Sequence, residues 1–181
     1  MPRQADPQLG SRILEAARRL WHRGGEESLN MRAVAKAAQT NTPAVYRRFR
    51  NRNELLRALV GQYQMDLFRA LEPCRSFRQF AECYFDFALQ RPREYELIMS
   101  GLLARVKSRP NFDLLLERSA QWLGGASQDH RQFAIALASL AHGAVLHAIT
   151  GNLPTETSKE IRLAFTRSVE LLVKNAGKLG N

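Results

Sequence analysis

Apolar positions return along this chain with a helical period. Leu9, Ile13, Ala16, Ala17 and Leu20 fall at i, i+4, i+7, i+8 and i+11, one stripe of a helix that Gly24-Gly25 ends. Met31, Val34, Ala35 and Ala38 repeat the pattern over a short second helix, with Asn30 placed to cap it. Val45 and Phe49, four apart, mark a short third helix. Leu55, Leu56, Leu59, Val60, Tyr63 and Leu67 form a fourth that stops by Pro73. Phe77, Phe80, Ala81, Tyr84, Phe85, Ala88 and Leu89 give the cleanest amphipathic stripe, ended by Pro92. Further helices are predicted over roughly 93–107, 110–123, 129–150 and 156–175. Pro110, Gly124-Gly125 and Gly151-Asn152-Leu153-Pro154 separate them. No stretch alternates with period two, so the class is all-α, with about nine helices.

The spacing between helices two and three carries the sharpest signal. Only Gln39, Thr40 and Asn41 lie between Ala38 and the third helix. Two short helices so joined must cross steeply, as in a helix-turn-helix spanning about 31–50. Ala35 belongs where they touch, because a small side chain is needed there. Val45 and Phe49 then point inward, which leaves Thr42, Pro43, Ala44, Tyr46, Arg47 and Arg48 largely free. A helix with one buried stripe and an Arg- and Tyr-bearing face fits the major groove.

Composition and charge agree. Of 181 residues 45% are apolar and 24% charged, enough for a packed core and too few charges for wholesale disorder. The net charge of +10 is unevenly spread. Residues 1–60 hold twelve Lys and Arg, eleven of them Arg, against five acids, whereas the rest hold fifteen against twelve. A basic head on a nearly balanced body points to a polyanionic partner for the head. No run of about 18 apolar residues predicts a membrane span. Met1-Pro2-Arg3-Gln4-Ala5-Asp6 lacks the apolar core of a signal peptide, so a cytoplasmic location is expected. Cys74 and Cys83 are too few for a disulfide scaffold and lack a nearby His pair at ligand spacing. His22, His130, His142 and His147 are far apart or off one helical face, and no nucleophile-base order or phosphate loop stands out. Catalytic residues, metal and cofactor are therefore expected to be absent.

Residues 12–60 resemble the N-terminal domain of the TetR family of transcriptional regulators. The resemblance rests on Ile13, Ala16, Leu20 and Gly24 around helix one, and on Met31, Val34, Ala35 and Ala38 in helix two. It continues through Val45, Tyr46 and Phe49 in the recognition helix and Glu54-Leu55 opening helix four. It implies a DNA-binding domain over 7–67 and a regulatory and dimerisation domain over 68–181. By position it implies DNA contacts for Arg32, Asn41, Thr42, Pro43, Ala44, Tyr46 and Arg47, with Arg52 matching a lysine that clamps the backbone.

Two departures stand out. The family usually has Gly-Val-Ser in the turn, and this chain has Gln39-Thr40-Asn41. A Gln in the left-handed conformation costs on the order of 1 kcal/mol. Pro43, at ease in a first turn, pushes Thr42 off helical dihedrals. The cap of helix three is then either Asn41, the family position, or Thr42, which the proline favours.

Pro92-Arg93-Glu94-Tyr95-Glu96-Leu97-Ile98-Met99 and His142-Gly143 resemble one group of TetR-family ligand domains that carries a His-Gly element. The resemblance implies a homodimer and a small-molecule pocket. Tyr84, Phe85, Tyr95, Met99, Phe112 and Trp122, with His142 as polar handle, are the candidate lining, suited to a mostly apolar or aromatic effector. Helix eight is apolar nearly all round, so burial on all sides is expected. Its Ala134, Ala138, Ala141 and Val145, with Phe165 and Leu172 of helix nine, are the candidate dimer interface. Gly61, inside helix four, is a point where the angle between head and body could change.

Three readings compete. The first is a ligand-responsive dimeric repressor on a palindromic operator. The second is a DNA-binding regulator of the same fold controlled by a protein partner. The third is an all-α enzyme or carrier with an incidental basic surface, disfavoured by the in-register motif and the charge asymmetry.

Overall fold

The computed structural model describes residues 6–101, 109–151 and 157–179. Among them are nine α-helices, two 3-10 turns and no strand, the all-α class expected. The helices are α1 (Leu9–Ser28), α2 (Met31–Ala37), α3 (Thr42–Arg48), α4 (Arg52–Leu71) and α5 (Phe77–Gln90), then α6 (Pro92–Met99), α7 (Pro110–Leu123), α8 (Arg131–Thr150) and α9 (Ser158–Lys174). Two expected ends differ. The Gly pair does not end α1 but kinks it, with Gly24 and Gly25 at φ −143° and +59° before one more turn. The helix expected over 93–107 ends at Met99, with Gly101 at φ 75° beyond it, and residues 102–107 lie outside the described residues.

The chain forms two compact units, Met1–Tyr63 with Arg93–Arg105, and Gln64–Pro92 with Val106–Asn181. The division expected between residues 67 and 68 cuts across these units, because α6 returns to pack with the N-terminal one. Side-chain chemistry explains the return. Leu97 and Ile98 enter the core formed by Ile13, Trp21, Val34, Leu55 and Leu59. The indole of Trp21 donates to the Arg93 carbonyl at 2.9 Å. The kink at Gly24 orphans the carbonyls of His22 and Arg23, and the Arg93 guanidinium donates to both at 2.6 and 2.7 Å. Glu94, buried, lies 3.9 Å from Arg18. None of these partners is near Arg93 or Glu94 in sequence, so periodicity could not reveal them.

The second unit packs α5, α8 and α9 together, with α7 against α8. Phe77 meets Trp122 and Phe133 edge-on at 4.8 and 5.0 Å, and Phe85 stacks on Phe165 at 5.6 Å. Ser76 caps α5 through Gln79 N, and Thr157 and Glu160 form a capping box at the start of α9. The all-round burial expected of α8 does not occur within one chain. Phe133, Ala134, Leu137, Ala141 and Val145 face the core, while Ile135 and Leu146 stay open. Ser127–Thr150 is also long and apolar enough, by length and composition, to cross a membrane, a stretch that the sequence pattern had not suggested.

Candidate nucleic-acid interface

The helix-turn-helix is built by caps and one strained turn. Asn30 Oδ1 accepts from Ala33 N at 2.8 Å and starts α2. The chain leaves α2 through Gln39, the one positive-φ residue other than glycine among the described residues, at φ 53°. Left-handed backbone is what the family glycine supplies there, so the turn keeps its shape and the side chain bears the strain. Thr40 N donates to Ala35 O at 2.9 Å and closes the turn. Asn41 caps α3, its Oδ1 accepting from Ala44 N at 2.9 Å. This corrects the preference for Thr42. Pro43 has no N–H to be capped, and the first donor needing a partner is Ala44 N, three residues from Asn41 and within its side chain's reach. Thr42 becomes the first helical residue, and the proline is tolerated after it, within the first turn.

Val45 and Phe49 are buried, as is Ala35 between the helices, which leaves one face of α3 open. On it Pro43 and Arg47 are exposed and Tyr46 is 48% exposed, with Thr42 half-buried and Asn41 exposed just ahead. Ala44 is a correction: at 5% exposure its methyl belongs to the core and offers almost no contact area. Arg32 is exposed in the first turn of α2. Among the described residues no carboxylate pairs with Arg32 or Arg47, so both charges remain unneutralised in the chain.

Arg52 is held differently. Its Nε donates to Leu29 O at 2.8 Å, and its two Nη groups to Glu26 Oε1 and Glu26 O at 3.1 Å. Its fork satisfies carbonyls at the end of α1 and is paired with a carboxylate. In the single chain Arg52 thus clamps the end of α1, and the expected grip on a phosphate backbone would compete with these bonds. Arg48, exposed, lies over Gly10, where an added Cβ would stand 2.7 Å from its Nε.

Gly10, Arg12, Gln39, Asn41, Arg47 and Arg48 are among the residues that line a groove of about 740 Å³. Sequence reasoning placed Asn41 and Arg47 at the interface and missed Gly10, Arg12 and Gln39. The signal for Gln39 was its departure from the family's turn.

Of the other candidate residues, the pocket set is divided. Tyr95 and Met99 sit on α6 in the N-terminal unit, Tyr95 buried and Met99 42% exposed. Tyr84, Phe85, Phe112, Trp122 and His142 sit in the second unit. There Phe85 is fully buried and stacked on Phe165, which corrects it from lining to core, while Trp122 packs edge-on against Phe77 and Phe80 and stays half-buried. Ala134, Ala141, Val145 and Phe165 are also corrected: they are buried within the chain and have no area to give a second copy. Ala138 and Leu172 keep part of theirs. Beside them lies a mostly apolar groove of about 460 Å³, lined by Ala136, Leu140, Ser168, Leu171 and Leu172 among others. Leu163 and Leu171 on α9 are 51% and 64% exposed.

A capped helix-turn-helix with an Arg- and Tyr-bearing outer face defines a DNA-binding domain of the bacterial regulator type. Residues 13–59 match the family model of bacterial regulatory proteins of the tetR family, and residues 77–172 match the tetracyclin repressor-like C-terminal domain. The chain belongs to the TetR family and is a DNA-binding transcription regulator. No curated protein matches its sequence. Solved structures share its fold. A protein of unknown function from Rhodococcus sp. RHA1 is 21% identical with a TM-score of 0.73, each chain covered fully. A TetR regulator from Streptomyces coelicolor is 19% identical with a TM-score of 0.73, over 97% of this chain and 99% of that one. A TetR variant from Acinetobacter baumannii AYE, in complex with minocycline, is 22% identical with a TM-score of 0.67, over 93% and 96%.

Proposed function

We propose that the protein is a dimeric repressor that binds a palindromic operator in the cytoplasm and is released by a small, mostly apolar or aromatic effector. The observation that carries the DNA half is exposed Arg47 beside Tyr46 on α3, a helix whose other face is buried, with Arg32 exposed on α2 and neither cation paired with a carboxylate among the described residues. Thr42 and Pro43 present base-facing atoms at the helix start, and Asn41 reaches the same edge while capping. The dimer half is supported by Leu163, Leu171, Ile135 and Leu146, apolar side chains that water covers in a single chain. A two-fold pair would set its recognition helices one turn of DNA apart, about 34–36 Å, or a multiple of it, hence the palindrome.

The effector half rests on the family. The Acinetobacter baumannii TetR variant holds minocycline, and a second domain of the same type is present here. Tyr84, Phe112, Trp122 and His142 are the remaining candidates in that unit. The second reading, a regulator governed by a protein partner, is supported by the stacking of Phe85 on Phe165, which takes up ring surface that an apolar effector would use.

An electrophoretic shift on DNA flanking the protein's own gene tests the first half, with a retarded, salt-sensitive complex expected. A thermal-shift screen of apolar and aromatic compounds tests the second, since a ligand at 100 times its Kd stabilises by about 2.7 kcal/mol. Binding to DNA without any ligand-stabilised state would favour the partner-controlled reading.

A further inference from the structure

Resting on the DNA-binding reading, we propose that Gln39 reads a base edge in the operator and so sets specificity at a position that the family's usual turn glycine leaves unread. Three observations converge. The residue holds a left-handed backbone at φ 53°, which a glycine would adopt without strain. Strain of this kind is kept where the side chain is needed. The side chain is exposed, and among the described residues no hydrogen bond occupies its amide. It lines the groove that also holds Asn41 and Arg47, at the N-terminal end of the recognition helix, where base contacts of this motif are made.

The chemistry selects the partner. A primary amide presents one donor and one acceptor side by side, the complement of adenine N7 and N6 in the major groove. Arg47, a fork of donors, complements guanine O6 and N7 or a phosphate instead. Arg12, the other cation in the groove beside Arg47 and Arg48, is paired with Asp6 at 2.5 Å. Gln39 thus offers the groove a neutral amide beside the cations Arg12, Arg47 and Arg48, while the amide oxygen of Asn41 is taken by the cap.

The test is selection of bound sites from a randomised duplex library by the full-length protein, repeated for Gln39→Gly, Gln39→Asn and Arg47→Ala. Gln39→Gly relieves the backbone and should raise Tm by about 2–4 °C. It should also lose one preferred adenine from the selected site and bind the wild-type site at least about tenfold more weakly. Gln39→Asn, which keeps the amide and tolerates the turn, should retain part of that preference. Arg47→Ala should lose a different position. An unchanged selected site and affinity in Gln39→Gly would overturn the proposal while leaving the DNA-binding reading intact. A uniform loss on all sequences would overturn it too, by showing a phosphate contact. Failure of the wild-type protein to select any sequence would overturn both together.

Discussion

The outer face of α3 and the outer face of α8 and α9 are both open in a single chain, yet their chemistry is opposite. On α3 the exposed groups are Pro43, Tyr46, Arg47 and Arg48, behind a turn carrying Gln39 and Asn41. On α8 and α9 they are Ile135, Leu146, Leu163 and Leu171. Water is a good solvent for the first face and a poor one for the second. The first can wait indefinitely for a transient partner. The second costs free energy for as long as it is bare, so it calls for a permanent one. If both faces are used as proposed, their side-chain chemistry is what would tell a reversible contact from a constitutive one.

The largest effect should come from breaking the apolar face. Leu171→Lys places a charge in an interface that would bury it, and should raise the dimer dissociation constant about a hundredfold or more, roughly 3 kcal/mol. Sedimentation should show monomers, and operator affinity should fall with them. A dimer persisting in Leu171→Lys and Ala138→Glu would move the interface elsewhere.

Next comes Arg52. Its three bonds to Glu26 and Leu29 predict that Arg52→Ala destabilises folding by about 2 kcal/mol, read as a lower denaturant midpoint. An unchanged midpoint with a flattened salt dependence of DNA binding would restore the phosphate clamp. Arg47→Ala sharpens the contrast from the other side. It should weaken specific binding by about 1–3 kcal/mol and leave the midpoint where it was. Asn41→Ala should cost about 1 kcal/mol of stability, and Thr42→Ala measurably less, because only Asn41 caps Ala44 N.

The smallest effect lies in the second unit and at high pH. Burial, reinforced by Cys83 alongside, pushes the Cys74 thiol up from 9.0 to about 11. The folded state thus favours the neutral thiol. That contribution is complete below pH 9 and is lost as the pH rises towards 11. Denaturant midpoints should decline over this window, and Cys74→Ala should remove part of the decline.

Helix positions were legible because the 3.6-residue period leaves its mark wherever one face is buried. Phase was harder to read. Ala134, Ala138, Ala141 and Val145 share a period with Phe133 and Leu137, so the same stripe serves a subunit core or a contact between copies. The period says that a face is buried and not against what. The cap of α3 was decided by which N–H lacked a partner, a property of the backbone path that a proline rule could not supply. The bonds of Arg52 were invisible for a related reason. Its carbonyl partners lie 23 and 26 residues away, and a cation's sequence position is silent about whether its donors are already taken. Arg47 is exposed, and among the described residues no carboxylate pairs with it.

The bonds from Trp21 and Arg93 have a practical consequence for anyone who cuts or recombines such chains. The indole and the guanidinium link α1 to a segment 70 to 72 residues downstream. The N-terminal unit is thus discontinuous, and the helix that completes it is encoded after α5. A fragment ended at residue 67 would expose the core faces that Leu97 and Ile98 cover and leave two helix-end carbonyls bare. Swapping heads between relatives would succeed only if residues 93–98 travelled with them. The module that can be transplanted is set by who satisfies whose hydrogen bonds, and not by where a linear boundary falls.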